Sequence, residues 1–239
     1  MENTNTQPVI PSSSMLADKK LMPLGDLFKE SFEHYKLRIQ NMIWLSVMGF
    51  GASLVILLVF GSISGIIFIA TTGLAAYLSA ILIALVGLLG IIIVGLWMQT
   101  ALMYAIKENP TIKAKDLFII AKSNMSPYFW VIFLKSLAVT AGLMLFIVPG
   151  IIFSVWFSGA GFAFIFDGKK GSEALSYSKS LVKGYWWPIF GRLVLLGIIS
   201  AMISSIQGIG FFINMLFVMP FGIVYVYTIY EDLKKIKTL

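Results

Sequence analysis

Phe166-Asp-Gly-Lys-Lys-Gly-Ser-Glu-Ala-Leu-Ser-Tyr-Ser-Lys-Ser-Leu-Val-Lys-Gly-Tyr-Trp-Trp-Pro188 separates two apolar runs of the chain. The first run begins near Val148 and stops at Asp167, and the second follows Pro188. Between them lie a short amphipathic segment and a Trp pair, and aromatic residues of this kind concentrate at membrane–water interfaces. The order is therefore a membrane pass, a surface helix, an aromatic anchor and another pass. It sets the position of the bilayer for the rest of the chain.

The composition is that of an integral membrane protein. Hydrophobic residues make up 59% of the chain and charged residues only 12%, whereas a soluble domain is about half apolar and a quarter charged. The chain has no cysteine, which excludes disulfides, thiolate catalysis and cysteine-ligated metals. Its single histidine leaves little for histidine-based metal or acid–base sites. We therefore predict neither a cofactor nor a metal site.

Two long passes are predicted between residues 42 and 106, a run without one charged residue. Its length would accommodate two long passes or three short ones, since a pass needs about 20 apolar residues. Three passes would place the basic residues before and after the run on opposite sides of the membrane. Two passes that break near Thr71-Thr72-Gly73 keep them on one side, as the positive-inside rule favours. We predict two, either as tilted helices or with an extra apolar turn outside the membrane.

Four further passes complete the predicted bundle. They cover about 128–148, 151–166, 188–206 and 211–230, and Pro149-Gly150 marks the turn between the third and fourth. All eighteen Lys and Arg then lie on one side or just within it, while the turns on the other side carry none. We therefore predict an all-α membrane fold of six passes with both termini in the cytoplasm.

The chain is predicted to form one membrane domain with two tails. Residues 1–24 are rich in Asn, Thr, Gln, Pro and Ser, a composition that predicts disorder because it cannot bury a core. Residues 25–233 form the membrane domain, and 234–239 a basic C-terminal tail.

Three units of similar order make up the predicted domain, each a surface helix followed by a transmembrane hairpin. The units cover about 25–106, 113–166 and 171–230. The surface helices are Asp26–Lys36, Asp116–Lys122 and Gly171–Gly184. Internal repeats are a common plan of membrane bundles, although transporter repeats usually interrupt helices at matching positions. Here Pro220 is the only interruption predicted inside a pass.

Lys135 and Arg192 are the ionisable residues predicted inside passes, each five positions after a tryptophan, Trp130 or Trp187. Ionisable residues inside a membrane are functional candidates, but long cationic side chains also snorkel to the headgroups. Two interpretations stay open, namely snorkelling, or an inward-facing pair that binds a lipid phosphate or an acidic group of a partner.

Other candidates lie at the predicted membrane surface. Lys179 and Lys183 occupy the polar face of the third surface helix and would attract anionic headgroups, at about 1 kcal/mol per exposed cation. Asp167 is predicted to cap a helix or pair with Lys169 or Lys170. The GxxxG at Gly61–Gly65 predicts close helix packing, either within the chain or with a second copy.

The sequence contains few residues that could form a catalytic site. No carboxylate lies within a predicted pass, and no serine has a base at a spacing that would activate it. Gly168-Lys-Lys-Gly171 lacks the spacing of a phosphate-binding loop. An enzyme would need an inward cluster of Asp167 with Lys and Ser. The net charge of +7 follows from the charge bias of the loops, so no nucleic-acid partner is predicted.

Two motifs carry a resemblance to a known family: Val148-Pro-Gly-Ile-Ile-Phe-Ser-Val-Trp-Phe157 and Gly171-Ser-Glu-Ala-Leu-Ser-Tyr-Ser-Lys-Ser-Leu-Val-Lys-Gly-Tyr-Trp-Trp-Pro-Ile-Phe-Gly-Arg192. The chain resembles polytopic membrane proteins related to the membrane domain fused to some bacterial glycerophosphoryl diester phosphodiesterases. The resemblance is specific over these motifs and weaker over Gly25–Leu233. It implies a multi-pass domain in a prokaryotic cytoplasmic membrane with no established activity. The catalytic barrel is missing, so no catalytic residue is carried over.

The matched positions of the family motif are expected to have structural roles. They are Pro149, Trp156, Glu173, Ser178, Lys183, Trp187 and Arg192. The function expected from the sequence is that of a non-enzymatic scaffold or accessory protein. It would engage anionic lipids at the cytoplasmic face, a protein partner or a second copy through its surface helices. The alternative is a small-molecule or lipid transporter with Lys135 and Arg192 in an inner vestibule.

Overall fold

A computed structural model describes residues 20–238, which form helices joined by short turns and no strand. The helices are α1 (Leu24–Lys36), α2 (Ile39–Ala70), α3 (Leu74–Lys107), α4 (Ala114–Leu145), α5 (Ile147–Trp156), α6 (Ala160–Asp167), α7 (Gly171–Val182), α8 (Trp186–Ser204), α9 (Gly210–Ile213), a π-helical segment (Asn214–Val218) and α10 (Met219–Thr238). The all-α prediction is confirmed for this part of the chain.

Six segments are long and apolar enough to span a membrane. They are α2, α3, α4, α5 with α6, α8, and the continuous stretch from α9 through α10. The fold is thus consistent with an integral multi-pass membrane protein. The charge-free run divides at Thr71–Gly73, as predicted, where Gly73 has a φ of 106°. With 32 and 34 residues, α2 and α3 are about 48 and 51 Å long.

The helix ends that carry the Lys and Arg residues meet at one end of the bundle, here called the basic end. There the Arg38 Nε donates a hydrogen bond to the carbonyl of Ala105 at 3.0 Å. The Lys107 Nζ likewise donates to the carbonyl of Ile165 at 2.7 Å. The α2–α3 turn lies at the opposite, far end. The side of the membrane that the basic end faces stays a prediction.

Burial is concentrated near the basic end. Residues 100–106 at the end of α3 are all buried, and 44% of the most apolar part of the fourth span is buried against other helices. No residue in the corresponding part of α2 is buried. The core is therefore built where the polar ends of the spans meet, and the most apolar stretches of α2 and α3 face outward.

The predicted separate surface helix Asp116–Lys122 is wrong, because it forms the first turns of α4, which continues through Pro127. Proline removes one backbone hydrogen bond and normally breaks a helix. Here one buried stripe crosses the proline, made of Leu117, Ala121, Tyr128 and Val131, all 0% exposed. Tertiary packing on both sides of Pro127 thus outweighs its local preference.

The predicted C-terminal tail is also wrong, because α10 continues as a helix to Thr238. Leu233 and Ile236 are buried and extend the apolar stripe begun by Ile229. At the other terminus, residues 1–19 of the predicted tail lie outside the described residues. Leu21, within the predicted tail, is buried in the core.

The turn between the third and fourth spans falls at Phe146, whose backbone is extended, three residues before the predicted Pro149-Gly150. Pro149 lies in the first turn of α5, where proline is tolerated because its missing N–H would lack a helical partner. Gly150 instead allows α5 to approach α4, since a Cβ there would overlap Leu143. The two glycines of this hairpin, Gly142 and Gly150, pack against each other.

Two spans are interrupted at positions other than Pro220, the only interruption that the sequence predicts inside a pass. The fourth span breaks at Phe157–Gly159 between α5 and α6, and the sixth contains the π-helical segment Asn214–Val218. The Nδ2 of Asn214 donates to the carbonyl of Ser200 at 2.8 Å, which links this segment to α8. The middle unit departs from the predicted plan, because it begins within α4, whereas α1 and α7 are separate from the span that follows each of them. The threefold repeat stays a prediction.

Candidate functional site: a lipid-facing groove and an intramembrane cavity

Helix α7 is anchored to the break in the fourth span by Ser178. Its Oγ donates to the carbonyl of Trp156 at 2.7 Å and accepts the N–H of Gly159 at 3.1 Å. Ser178 is 1% exposed, and it satisfies two backbone groups that the broken helix leaves free. Ser178 therefore links α7 to the break in the fourth span.

The exposed face of α7 carries its charges. Lys169, just before α7, donates to the Glu173 carboxylate in its first turn at 2.7 Å. This hydrogen bond lowers the pKa of Glu173 and raises that of Lys169. Both side chains are exposed, so the pair orders the start of α7 locally. Asp167 does not pair with Lys169 or Lys170 as predicted, but accepts hydrogen bonds from Tyr230 and Lys234 of α10.

A groove of about 570 Å³ lies between α5 and α8, called the α5–α8 groove below. Its lining residues are Val148, Ile151, Ile152, Trp156, Lys183, Gly184, Trp186, Trp187 and Phe190. The walls are aliphatic and aromatic, and Trp186 stacks on Phe190 with their ring centroids 5.0 Å apart. Trp187 is 74% exposed, which suits an interfacial anchor.

The charge at the mouth of the α5–α8 groove is positive. Lys183 lines it directly, and the Lys179 Nζ lies 4.3 Å from the centroid of the Trp156 ring, a cation–π contact. No acidic residue is among the residues that line it. The groove thus combines an apolar trough along two membrane spans with two cations at one end.

A second, smaller cavity of about 280 Å³ lies among the spans around Lys135, called the Lys135 cavity below. Its polar lining comes from Gln99 of α3, Tyr128 and Lys135 of α4, and Ser158 at the break of the fourth span. Its other lining residues are Met103, Ile132, Gly161, Phe162, Leu196, Met219, Gly222, Ile223 and Val226. Lys135 therefore faces the interior rather than the surrounding lipid.

Arg192 has different surroundings from Lys135, and the two do not line one site. It is 5% exposed, and its guanidinium donates to the carbonyl of Met22 and lies 3.6 Å from the Asp232 Oδ2. The N–H of Met22 donates to the same carboxylate at 2.9 Å. Arg192 thus ties the segment before α1 to α10. Asp232 was not predicted as its partner, because it follows the last predicted pass, which ends near Tyr230.

The described part of the chain contains no group of side chains placed to bind a metal ion. Within residues 20–238, no three His, Asp or Glu side chains are placed to hold a metal ion.

Comparisons of the chain with protein-family models, with curated proteins and with solved structures gave no match. The resemblance to the membrane domain of glycerophosphoryl diester phosphodiesterases therefore stays a prediction. The geometry of the groove and of the cavity is what indicates a function.

Proposed function

We propose that this protein is a non-enzymatic, multi-pass membrane protein that binds an anionic phospholipid in the α5–α8 groove. The headgroup would lie between Lys179 and Lys183, and an acyl chain would lie along α5 and α8. The observation that carries the proposal is the position of these two cations at the mouth of an apolar groove between membrane spans.

Charge favours an anionic rather than a zwitterionic headgroup. Both lysines are exposed and neither is held by an acidic side chain in the described structure. Each cation near an anionic membrane surface contributes about 1 kcal/mol. Two cations acting on one headgroup would raise its affinity by about 2 kcal/mol, or roughly 30-fold.

The shape of the groove favours a lipid over a soluble anion. Its volume of about 570 Å³ lies within the range of roughly 300–1,000 Å³ that is usual for small-molecule sites. The aliphatic residues Val148, Ile151 and Ile152 line it below the cations. A soluble anion would make no apolar contact with these aliphatic side chains, whereas an acyl chain would pack against them.

The cellular location and the partners that the sequence predicts are part of the same proposal. The basic end would face the cytoplasm of a prokaryotic cell, and the chain would serve as a scaffold or accessory for a partner protein or a second copy. A transporter is the alternative, and the breaks in the fourth and sixth spans favour it, because interrupted helices form the binding sites of many transporters.

Native mass spectrometry of the purified protein tests lipid binding. We expect the amount of phosphatidylglycerol that co-purifies with Lys179→Met/Lys183→Met to be at least tenfold lower than with the native protein. The matched control is Lys29→Met/Lys36→Met, which removes two exposed lysines from α1 and should retain the lipid. Equal retention by both double variants would contradict the proposal. Loss from both would show a non-specific surface effect and would contradict it as well.

A further inference from the structure

Lys135 lies deep in the bundle relative to the other lysines. Its cavity is lined by Gln99, which precedes Lys107 at the basic end of α3 by eight residues, or about 12 Å of helix. Tyr128 in the same lining is 0% exposed. The side chain of Lys135 is half-buried, so its amine is held among the spans at this depth.

The amine of Lys135 has no counter-charge in the described structure. It makes no hydrogen bond or ion pair with residues 20–238, and no carboxylate lines the cavity. Asp167 is engaged by Tyr230 and Lys234, and Asp232 by Arg192. A buried cation without a partner is costly, and cations inside a membrane almost always pair or face a water-filled cavity. No acidic side chain of the described residues thus balances this cation.

The other polar groups of the cavity are suited to an anion as well. The Gln99 side chain makes no hydrogen bond with the described residues and offers two amide donors. Gly161 and Phe162 belong to the first turn of α6, and the N-terminus of a helix favours negative charge. Half-helix ends exposed by a broken span bind anionic substrate groups in several membrane transporters.

The size of the cavity limits what it can hold. Its volume of about 280 Å³ is about half that of the α5–α8 groove and lies at the lower limit of the roughly 300–1,000 Å³ usual for small-molecule sites, which favours a compact ligand over a two-chain phospholipid. Leu196, Ile223 and Val226 provide an apolar side opposite the polar groups. The volume and lining match a compact molecule with one acidic group and a short apolar part.

We propose that the Lys135 cavity is a binding site for a small amphiphilic anion, a carboxylate or a phosphate monoester with a short alkyl group. The acidic group would accept hydrogen bonds from Lys135 and Gln99. The alkyl group would pack on α8 and α10. This site is separate from the α5–α8 groove and shares none of its lining residues.

Binding of hexanoate and hexyl phosphate to the protein in nanodiscs of zwitterionic lipid tests this proposal. Titrations followed by ¹³C NMR of carboxyl-labelled hexanoate, and by ³¹P NMR of hexyl phosphate, should show one saturable site per chain, with empty nanodiscs as the blank. Lys135→Met should weaken the binding of both at least tenfold, and Lys29→Met should leave it unchanged. Gln99→Leu, which keeps the lysine, should weaken it several-fold.

Several outcomes would overturn the proposal. These are no saturable binding of either probe to the native protein, or equal binding by the Lys135→Met variant. If Lys135→Met does not fold, unchanged binding of both probes by Gln99→Leu would do so when Ser158→Leu and Gly222→Leu, which place a larger side chain in the lining of the cavity, also leave binding unchanged. Inorganic phosphate that binds as well as hexyl phosphate would refute the amphiphilic part. Displacement of hexanoate by phosphatidylglycerol would refute the size limit. Displacement that is lost in Lys179→Met/Lys183→Met would instead arise at the α5–α8 groove and would not bear on the Lys135 cavity.

Discussion

The basic end of the bundle and the far half of the α2–α3 hairpin are built on opposite principles. At the basic end, polar side chains are buried and paired, with Arg192 5% and Asp232 8% exposed. In the far half of the hairpin, large aliphatic side chains face outward, and Ile69 is 85% exposed. The most apolar stretches of α2 and α3 are thus among the least buried parts of the described spans.

The difference is what a fold embedded in lipid predicts, because lipid then surrounds the apolar residues that the protein interior does not bury. Lipid tails are as apolar as leucine, so burying leucine against another helix gains little. Specific packing must come from hydrogen bonds, ion pairs and close approach at glycines. The basic end has all three. The described far half of the hairpin has no ion pair, and its two helices are joined by the contact of Gly87 with Phe60 and by the hydrogen bond from the Ser64 Oγ to the carbonyl of Ala80 at 2.8 Å.

The largest effect is expected from removing the buried cation of the basic end. Arg192→Met leaves Asp232 buried without its ion pair, which destabilises a protein by about 3–5 kcal/mol. Unfolding in a denaturing detergent, followed by tryptophan fluorescence, measures the change. Arg192→Met/Asp232→Leu should recover part of the loss, since it removes the unpaired charge. A single variant as stable as the native protein would refute the pairing.

A smaller effect is expected where α7 meets the broken fourth span. Ser178→Ala leaves the N–H of Gly159 and the carbonyl of Trp156 without their side-chain partner, at a cost of about 1–3 kcal/mol. Ser176 lies on the exposed face of the same helix, so Ser176→Ala should be neutral in the same unfolding assay. Equal stability of the two variants would show that α7 is not anchored through Ser178.

The smallest effect is expected at the GxxxG motif of the hairpin. A Cβ at Gly61 or Gly65 would meet no atom of the described residues within 4 Å outside its own stretch of helix, so Gly61→Ile should change stability by no more than about 0.5 kcal/mol. Gly87→Ile is the positive control, because a Cβ there lies 2.6 Å from the Phe60 Cβ and overpacking costs about 1–3 kcal/mol. A loss of stability, or a change of oligomeric state on size-exclusion chromatography, caused by Gly61→Ile would show that this face packs against a second copy.

The spans themselves could be predicted from the sequence because the hydrocarbon thickness and the placement of charge constrain them strongly. The division at Thr71–Gly73 followed from these two rules alone. The helix through Pro127 could not be predicted in the same way, because packing of residues far apart in sequence outweighs the local preference. The extension of α10 had a local signal that was overlooked, namely the spacing of Ile229, Leu233 and Ile236 on one helical face.

The candidate sites were predictable only in part. The sequence singled out Lys135, Lys179 and Lys183 by charge and position, and the structure places Lys135 inward and the other two beside the groove. It did not reveal the break at Phe157–Gly159, since this stretch contains no proline and its backbone groups are satisfied by Ser178 from a later helix. A break that depends on a distant partner leaves little trace in the local sequence.

The bonds of Met22 to Arg192 and Asp232 also set an order of events during biosynthesis. Met22 and Asp232 are 210 positions apart, and a ribosome that adds about 5–20 residues per second needs roughly 10–40 s to make the intervening chain. Asp232, which accepts the N–H of Met22, is translated only at the end of that interval. The segment before α1 can therefore reach this contact only after Asp232 of α10, the last described helix, has been made.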